Sequence, residues 1–109
     1  MPDDSGEATT AAGFYLVLRH DTASNKNPES VGEHLAWMRA QHERGTVLIS
    51  GPSADGALGI YVIRAASFQR ATDIAGTDPL SLAEGVRVEV IDWNVHQILG
   101  IGSFEPPRG

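Results

Sequence analysis

The sequence contains no cysteine. That excludes a disulfide framework, a thiolate nucleophile and a cysteine-bound zinc ion. Lysine occurs once, at Lys26, and eight Lys and Arg stand against fourteen Asp and Glu, a formal net charge of -6. Such a chain offers neither the basic footprint of a nucleic-acid binder nor a polybasic membrane patch, so neither partner is expected. No apolar run is long enough to span a bilayer. The first residues, MPDDSGEATTAAG, lack the apolar core of a signal peptide, and a soluble cytoplasmic protein is expected. The loop GPSADGALG has neither glycine spacing of the nucleotide-phosphate motifs, and Ser50 and Ser53 lack a nucleophile-elbow setting. The four histidines, His20, His34, His42 and His96, form no H-x-H, H-x-x-x-H or HExxH pair. No metal and no cofactor are expected from these spacings, although ligands assembled from distant positions stay open.

What is present is one domain's worth of pattern: 109 residues, of which 41% are hydrophobic. Residues 1–13 read as a flexible lead-in, 14–104 as the folded domain and 105–109 as a Pro-rich tail. Residues 14–20, FYLVLRH, predict a strand from their aromatic and β-branched content. A polar loop follows over 21–29. Ser30 and Glu33 form a capping box that predicts a helix from Val31, with Val31, Leu35, Met38 and His42 on its inward face. Gly45 stands where a left-handed C-terminal cap belongs. Strands over 46–50 and 58–64 flank a turn-rich loop and predict a hairpin. Ser67 caps a second helix with Phe68, Ala71, Ile74 and Ala75 as its apolar stripe, and Gly76 ends it. Asp78-Pro79 predicts a capped one-turn segment ending at Gly85. Val86, Val88 and Val90 alternate in a fourth strand, and 95–101 offers a short fifth.

The resulting order, βαββαβ, is the ferredoxin-like α+β order with an antiparallel sheet. Its two helices cover one sheet face. The strands carry apolar residues on both: Phe14, Leu16 and Leu18 against Tyr15 and Val17, and Leu58, Ile60 and Val62 against Tyr61 and Ile63. A second copy packed on the uncovered face is the simplest partner, so a homodimer is expected.

Few residues carry chemistry. His34, in the first turn of the first helix, is a candidate general base, because the helix terminus favours a neutral imidazole. The alternative is a partly exposed helix histidine. Asp78 is either a helix cap or a carboxylate that orients a histidine. Asp21, at the end of the first strand, is a second pocket carboxylate or a loop cap. Arg19 is a binder of a substrate carboxylate or phenolate, or a solvated strand-end arginine. Trp37, one turn after His34, suits a planar ligand or serves as core. Ser50, Gly51 and Pro52 are candidates for a backbone-lined pocket wall.

His34-Leu35 at a helix start, Gly45, the strand entering Gly51-Pro52, Ser67, Ala71, Asp78-Pro79, Gly85 and Asp21 follow the order and spacing of the YCII-related proteins. The resemblance runs over about residues 14–93. It implies a ferredoxin-like domain forming a dimeric α/β barrel, similar to muconolactone isomerase. It also implies a pocket in which His34 and Asp78 meet, with Asp21 nearby. A branch of the family eliminates chloride from a chlorinated hydroxyhydroquinone. This chain reads Ser30-Val31-Gly32-Glu33 where an Arg-Pro often precedes the helix histidine, and its loop between strands two and three is short. The expected function is a small cofactor-free enzyme, an isomerase or lyase. It would use a His-Asp acid/base pair on a cyclic or aromatic small molecule in a catabolic or biosynthetic pathway. The alternative is a non-catalytic dimeric module that binds a small molecule or serves as an accessory subunit.

Overall fold

The structure is a computed structural model that describes residues 12–22 and 27–102. Most of the expected lead-in and all of the expected tail lie outside the described residues. Gly13, assigned above to the lead-in, is the first residue of β1 (Gly13–His20).

The first helix, α1 (Pro28–Glu43), starts three residues earlier than the capping box suggests. Asn27 takes the cap instead: its side chain accepts from the Ser30 N–H at 2.8 Å, and Pro28 fills the first helical position, where no N–H is needed. Its C-terminus closes in a Schellman motif. Thr46 N–H bonds Gln41 O and Gly45 N–H bonds His42 O, both at 3.0 Å, with Gly45 at φ 76°. The inward face also differs from the expected stripe. Met38 and Gln41 are the buried residues, whereas Leu35 is 58% exposed and His42 lies at the surface. The stripe is turned because His34 and Trp37, rather than Leu35, meet the sheet side.

The hairpin of β2 (Val47–Pro52) and β3 (Leu58–Ala65) forms as expected. Ser67 caps α2 (Phe68–Ala75) by accepting from Arg70 N–H. Asp78 caps a 3-10 turn, Pro79–Leu82, by accepting from Leu80 N–H. The fourth strand is β4 (Arg87–Trp93). The expected fifth strand does not join the sheet. Its place is taken by β5 (Gln97–Ile98) and β6 (Ile101–Gly102), which pair only with each other, around a turn with Leu99 and Gly100 at positive φ.

The four long strands form one antiparallel sheet in the order β2-β3-β1-β4. This is an α+β architecture with the ferredoxin-like order. Alternation along the strands sorts side chains onto two faces. Tyr15, Val17, Tyr61 and Ile63 face the helices and are at most 6% exposed. Ala71 and Ala75 of α2 are fully buried, and their small side chains let that helix lie close on the sheet. The other face presents Leu16 between Val62 and Ile91, and Phe14 beside Trp93. No helix among the described residues covers it, and Ile49, Ile91 and Trp93 are 67%, 37% and 44% exposed there. No helix among the described residues is long and apolar enough to cross a membrane.

Ile63 is 0% exposed at the centre of the helix side. Ile63→Ala is expected to cost about 2–5 kcal/mol by removing buried methyl groups and leaving a cavity, read as a lowered urea midpoint at unchanged slope.

Candidate active site

The site forms where β1 ends beneath α1. Arg19 points to the helix side, between Gly59 of β3 and Val88 of β4, and is 4% exposed. Two carboxylates hold its guanidinium. Nε and Nη2 donate to Asp21, at 2.5 and 3.0 Å, and Nη1 donates to Oδ2 of Asp78 at 2.8 Å. Burial by itself would lower the Arg19 pKa. The hydrogen bonds and charges of Asp21 and Asp78 outweigh it and raise the pKa above its ordinary value, so the cation is permanent.

Asp78 is 0% exposed. Its Oδ1 accepts from the Leu80 N–H at 3.0 Å and lies 2.8 Å from Nδ1 of His34. Helix cap and histidine partner, read above as alternatives, are one carboxylate performing both. A carboxylate paired with arginine only accepts, so Nδ1 carries the proton, and in the neutral imidazole Nε2 keeps the lone pair. Nη1 of Arg19 also comes within 3.5 Å of Nδ1. Both nitrogens then bear protons, so this is a contact and not a hydrogen bond. His34 sits in the second turn of α1, beyond the reach of the helix terminus, and Asp78 rather than the helix sets its tautomer.

Trp37 supports the imidazole from behind. The two rings stack with centroids 6.2 Å apart and planes 26° from parallel. The indole N–H donates to Thr77 Oγ1 at 2.9 Å, and the ring meets Tyr61 edge-on at 5.8 Å. Thr77 in turn donates to the Ile74 carbonyl, which leaves its oxygen free to accept. The segment that carries Asp78 is thus tied to the helix that carries His34 by two hydrogen bonds, His34 to Asp78 and Trp37 to Thr77.

Beside His34 opens a cavity of about 240 Å³. Val31, Leu35 and Met38 of α1, Pro52 and Ile60 of the hairpin, and Leu80 give it apolar walls; Arg19, His34 and Tyr61 contribute the polar side chains. Tyr61 is 1% exposed, and its hydroxyl is buried without a hydrogen-bond partner among the described residues. Burial raises its pKa, and the charge of Asp78 adds to this against a smaller opposing effect of Arg19, so the phenol stays protonated.

The residues singled out from the sequence divide into three groups. His34 and Asp78 meet directly. Arg19, Gly51 and Pro52 line the cavity, with the Arg19 donors turned to carboxylates rather than to solvent. Asp21, Trp37 and Ser50 are not in the wall: Asp21 clasps Arg19, Trp37 backs His34, and Ser50 Oγ lies 2.8 Å from Nε2 of His42. Among the described residues no group of three or more His, Asp or Glu is placed to hold a metal ion. Two contributors escaped the sequence reading. Tyr61 counted only as an apolar strand residue. Gly59 was passed over, although a glycine inside LGIYVIR signals close approach. The Arg19 guanidinium lies across it, in the space a Cβ would occupy.

A four-stranded ferredoxin-like sheet with a buried His-Asp-Arg cluster opening on an apolar cavity defines the class: a small α+β domain with its site under the first helix. Residues 13–94 match the YCII-related domain, and the chain belongs to that family. Comparison with curated proteins finds no match.

Gly59→Ala is expected to push the guanidinium off the strand while two carboxylates hold it in place. The expected cost is about 1–3 kcal/mol, as for other overpacked interiors, read as a lowered denaturation midpoint. An unchanged midpoint would show that Arg19 does not rest on Gly59.

Proposed function

We propose that this chain is a small cofactor-free enzyme that moves protons on a cyclic or aromatic small molecule, by isomerisation or elimination. The observation that carries the reading is the 2.8 Å contact of His34 Nδ1 with a buried, arginine-paired Asp78. It leaves Nε2 as the open nitrogen of a side chain in the cavity wall. In this reading Nε2 takes a proton from a substrate carbon or hydroxyl. The electron pair of the broken bond moves into the conjugated system, and Asp78 stabilises the imidazolium. Isomerisation follows when Nε2–H returns the proton at another position. Elimination follows when a neighbouring group departs with its electron pair. His34 is the catalytic residue. Asp78 and Arg19 are positioning residues, and Asp21 acts through Arg19. Gly51 and Pro52 shape the wall that faces the substrate.

The test uses hydroxylated aromatics and unsaturated lactones as probes, in D2O, with deuterium uptake or turnover as the readout. His34→Ala is expected to lose about 10²–10⁴ in rate, the usual worth of a placed acid/base. Full activity in that variant sinks the proposal. In nitrogen NMR, wild-type His34 is expected to show one tautomer, protonated at Nδ1, and Asp78→Asn to lose that preference.

The reading includes a homodimer through the uncovered sheet face. Its support is the apolar surface of Ile49, Ile91 and Trp93, on a sheet whose helices all lie on the opposite side. Wild type is expected to sediment as a dimer and Ile49→Glu as a folded monomer. A monomeric wild type at high micromolar concentration counts against it.

A further inference from the structure

Among the described residues the site has two hydrogen-bonding positions without a partner, and they differ in sign. With Nδ1 donating to Asp78, Nε2 of the neutral His34 imidazole accepts. The Tyr61 hydroxyl has no partner, and its raised pKa keeps it a donor. A buried hydroxyl without a partner costs a protein stability, and native structures hold few of them. A phenylalanine would fill the same space without that cost, so the hydroxyl calls for a role outside the fold. Tyr61 already lines the cavity beside His34. The third polar group there, Arg19, brings no unanswered charge, since Asp21 and Asp78 bind three of its nitrogens.

We infer that the Tyr61 hydroxyl is the donor that receives a substrate oxygen, and that the substrate is an uncharged oxygenated ring rather than a carboxylate. The inference rests on the proposed acid/base reading of His34 and names the substrate class for it. An oxygen held by Tyr61 and an acidic proton facing Nε2 describe a cyclic ketone, a lactone or a hydroxylated arene. When the proton passes to Nε2, the C–H or O–H electron pair is delocalised onto the oxygen that Tyr61 holds. The protonated phenol then stabilises the growing negative charge. The apolar walls give a carboxylate nothing in exchange for its lost water. An apolar cavity of about 150 Å³ takes one benzene; at about 240 Å³ this one takes a single ring with small substituents. The hydroxyl is sealed from solvent. A ligand therefore reaches it as the walls yield, and Met38, long and unbranched, is the lining residue best able to do so.

The test compares wild type with Tyr61→Phe, using 2-cyclohexenone, 2(5H)-furanone, catechol, benzoate and toluene as probes. Affinity is read by amide NMR titration, melting temperature by calorimetry and deuterium uptake by the probe in D2O. Wild type is expected to bind at least one uncharged oxygenated probe at least tenfold more tightly than benzoate. Tyr61→Phe is expected to lose about fivefold in that affinity, the worth of one neutral hydrogen bond. Its toluene binding should not change, and its melting temperature should stay level or rise. The inference is overturned by equal affinity of the two proteins for the oxygenated probes, by benzoate binding as well as they do, or by no oxygenated probe binding at millimolar concentration. It is also overturned if Tyr61→Phe melts earlier or loses toluene as well, because the hydroxyl then serves the fold. The two proposals separate in this experiment. Tyr61-dependent binding without His34-dependent deuterium uptake removes the catalytic reading alone. His34-dependent uptake that Tyr61→Phe leaves intact removes this inference alone.

Discussion

The buried pairing of Arg19 with Asp78 is the contact on which the site depends. It joins residues 59 positions apart, from the first strand and from the turn after the second helix. Both side chains are at most 5% exposed. A buried ion pair of this kind stabilises little compared with a well-packed apolar substitute, yet removing one partner strands the other charge and is costly. Its value here is in what it orients. With Oδ2 occupied by Arg19, Oδ1 is turned to both the Leu80 N–H and His34. One carboxylate thus starts a helical turn, neutralises a cation and fixes the tautomer of an imidazole. Asp21 and Gly59 belong to the same device. Asp21 holds the far edge of the guanidinium, and Gly59 provides the flat strand surface beneath it.

Much of the fold could be read from the sequence because local rules act on neighbours. Ser67, Gly45 and Asp78-Pro79 mark helix ends by hydrogen bonds that span two to five residues. The alternation of Tyr15 and Val17 with Phe14 and Leu16 separates two sheet faces by strand geometry alone. The order of elements then leaves few topologies. The inward face of the first helix was less legible. Leu35 fits the periodic apolar pattern, but the buried surface is built around His34, Trp37, Met38 and Gln41, and the His34 and Trp37 side chains find their hydrogen-bond partners only in three dimensions. The start of that helix was misplaced because two caps compete three residues apart, and Pro28 favours the earlier one.

The candidate site was legible as a list of residues and not as an arrangement. His34 and Asp78 could be named from their places at the helix and the turn, but their contact depends on how the turn packs beneath the helix. Arg19 looked like a ligand-binding or solvated side chain because nothing local shows that two carboxylates converge on it. Tyr61 was hidden for the opposite reason. In a strand of apolar residues its ring is what the pattern needs, and only a hydrogen-bond accounting of the folded chain shows its hydroxyl unanswered. The bare sheet face and the cavity lie on opposite sides of the same strands. The two faces therefore draw on alternate residues of β1 and β3.

The placement of the two tryptophans has a spectroscopic consequence. Trp37 is stacked on His34 with its indole N–H bonded to Thr77, whereas Trp93 stands on the uncovered sheet face, 44% exposed. An indole's emission follows the polarity and charge of its surroundings. Trp37 therefore serves as a built-in optical probe of events at the imidazole, and Trp93 as one of whatever contacts the sheet. Removing either by a phenylalanine substitution would make the remaining signal specific to one face. The chain thus carries its own pair of fluorophores, one for each side of the sheet.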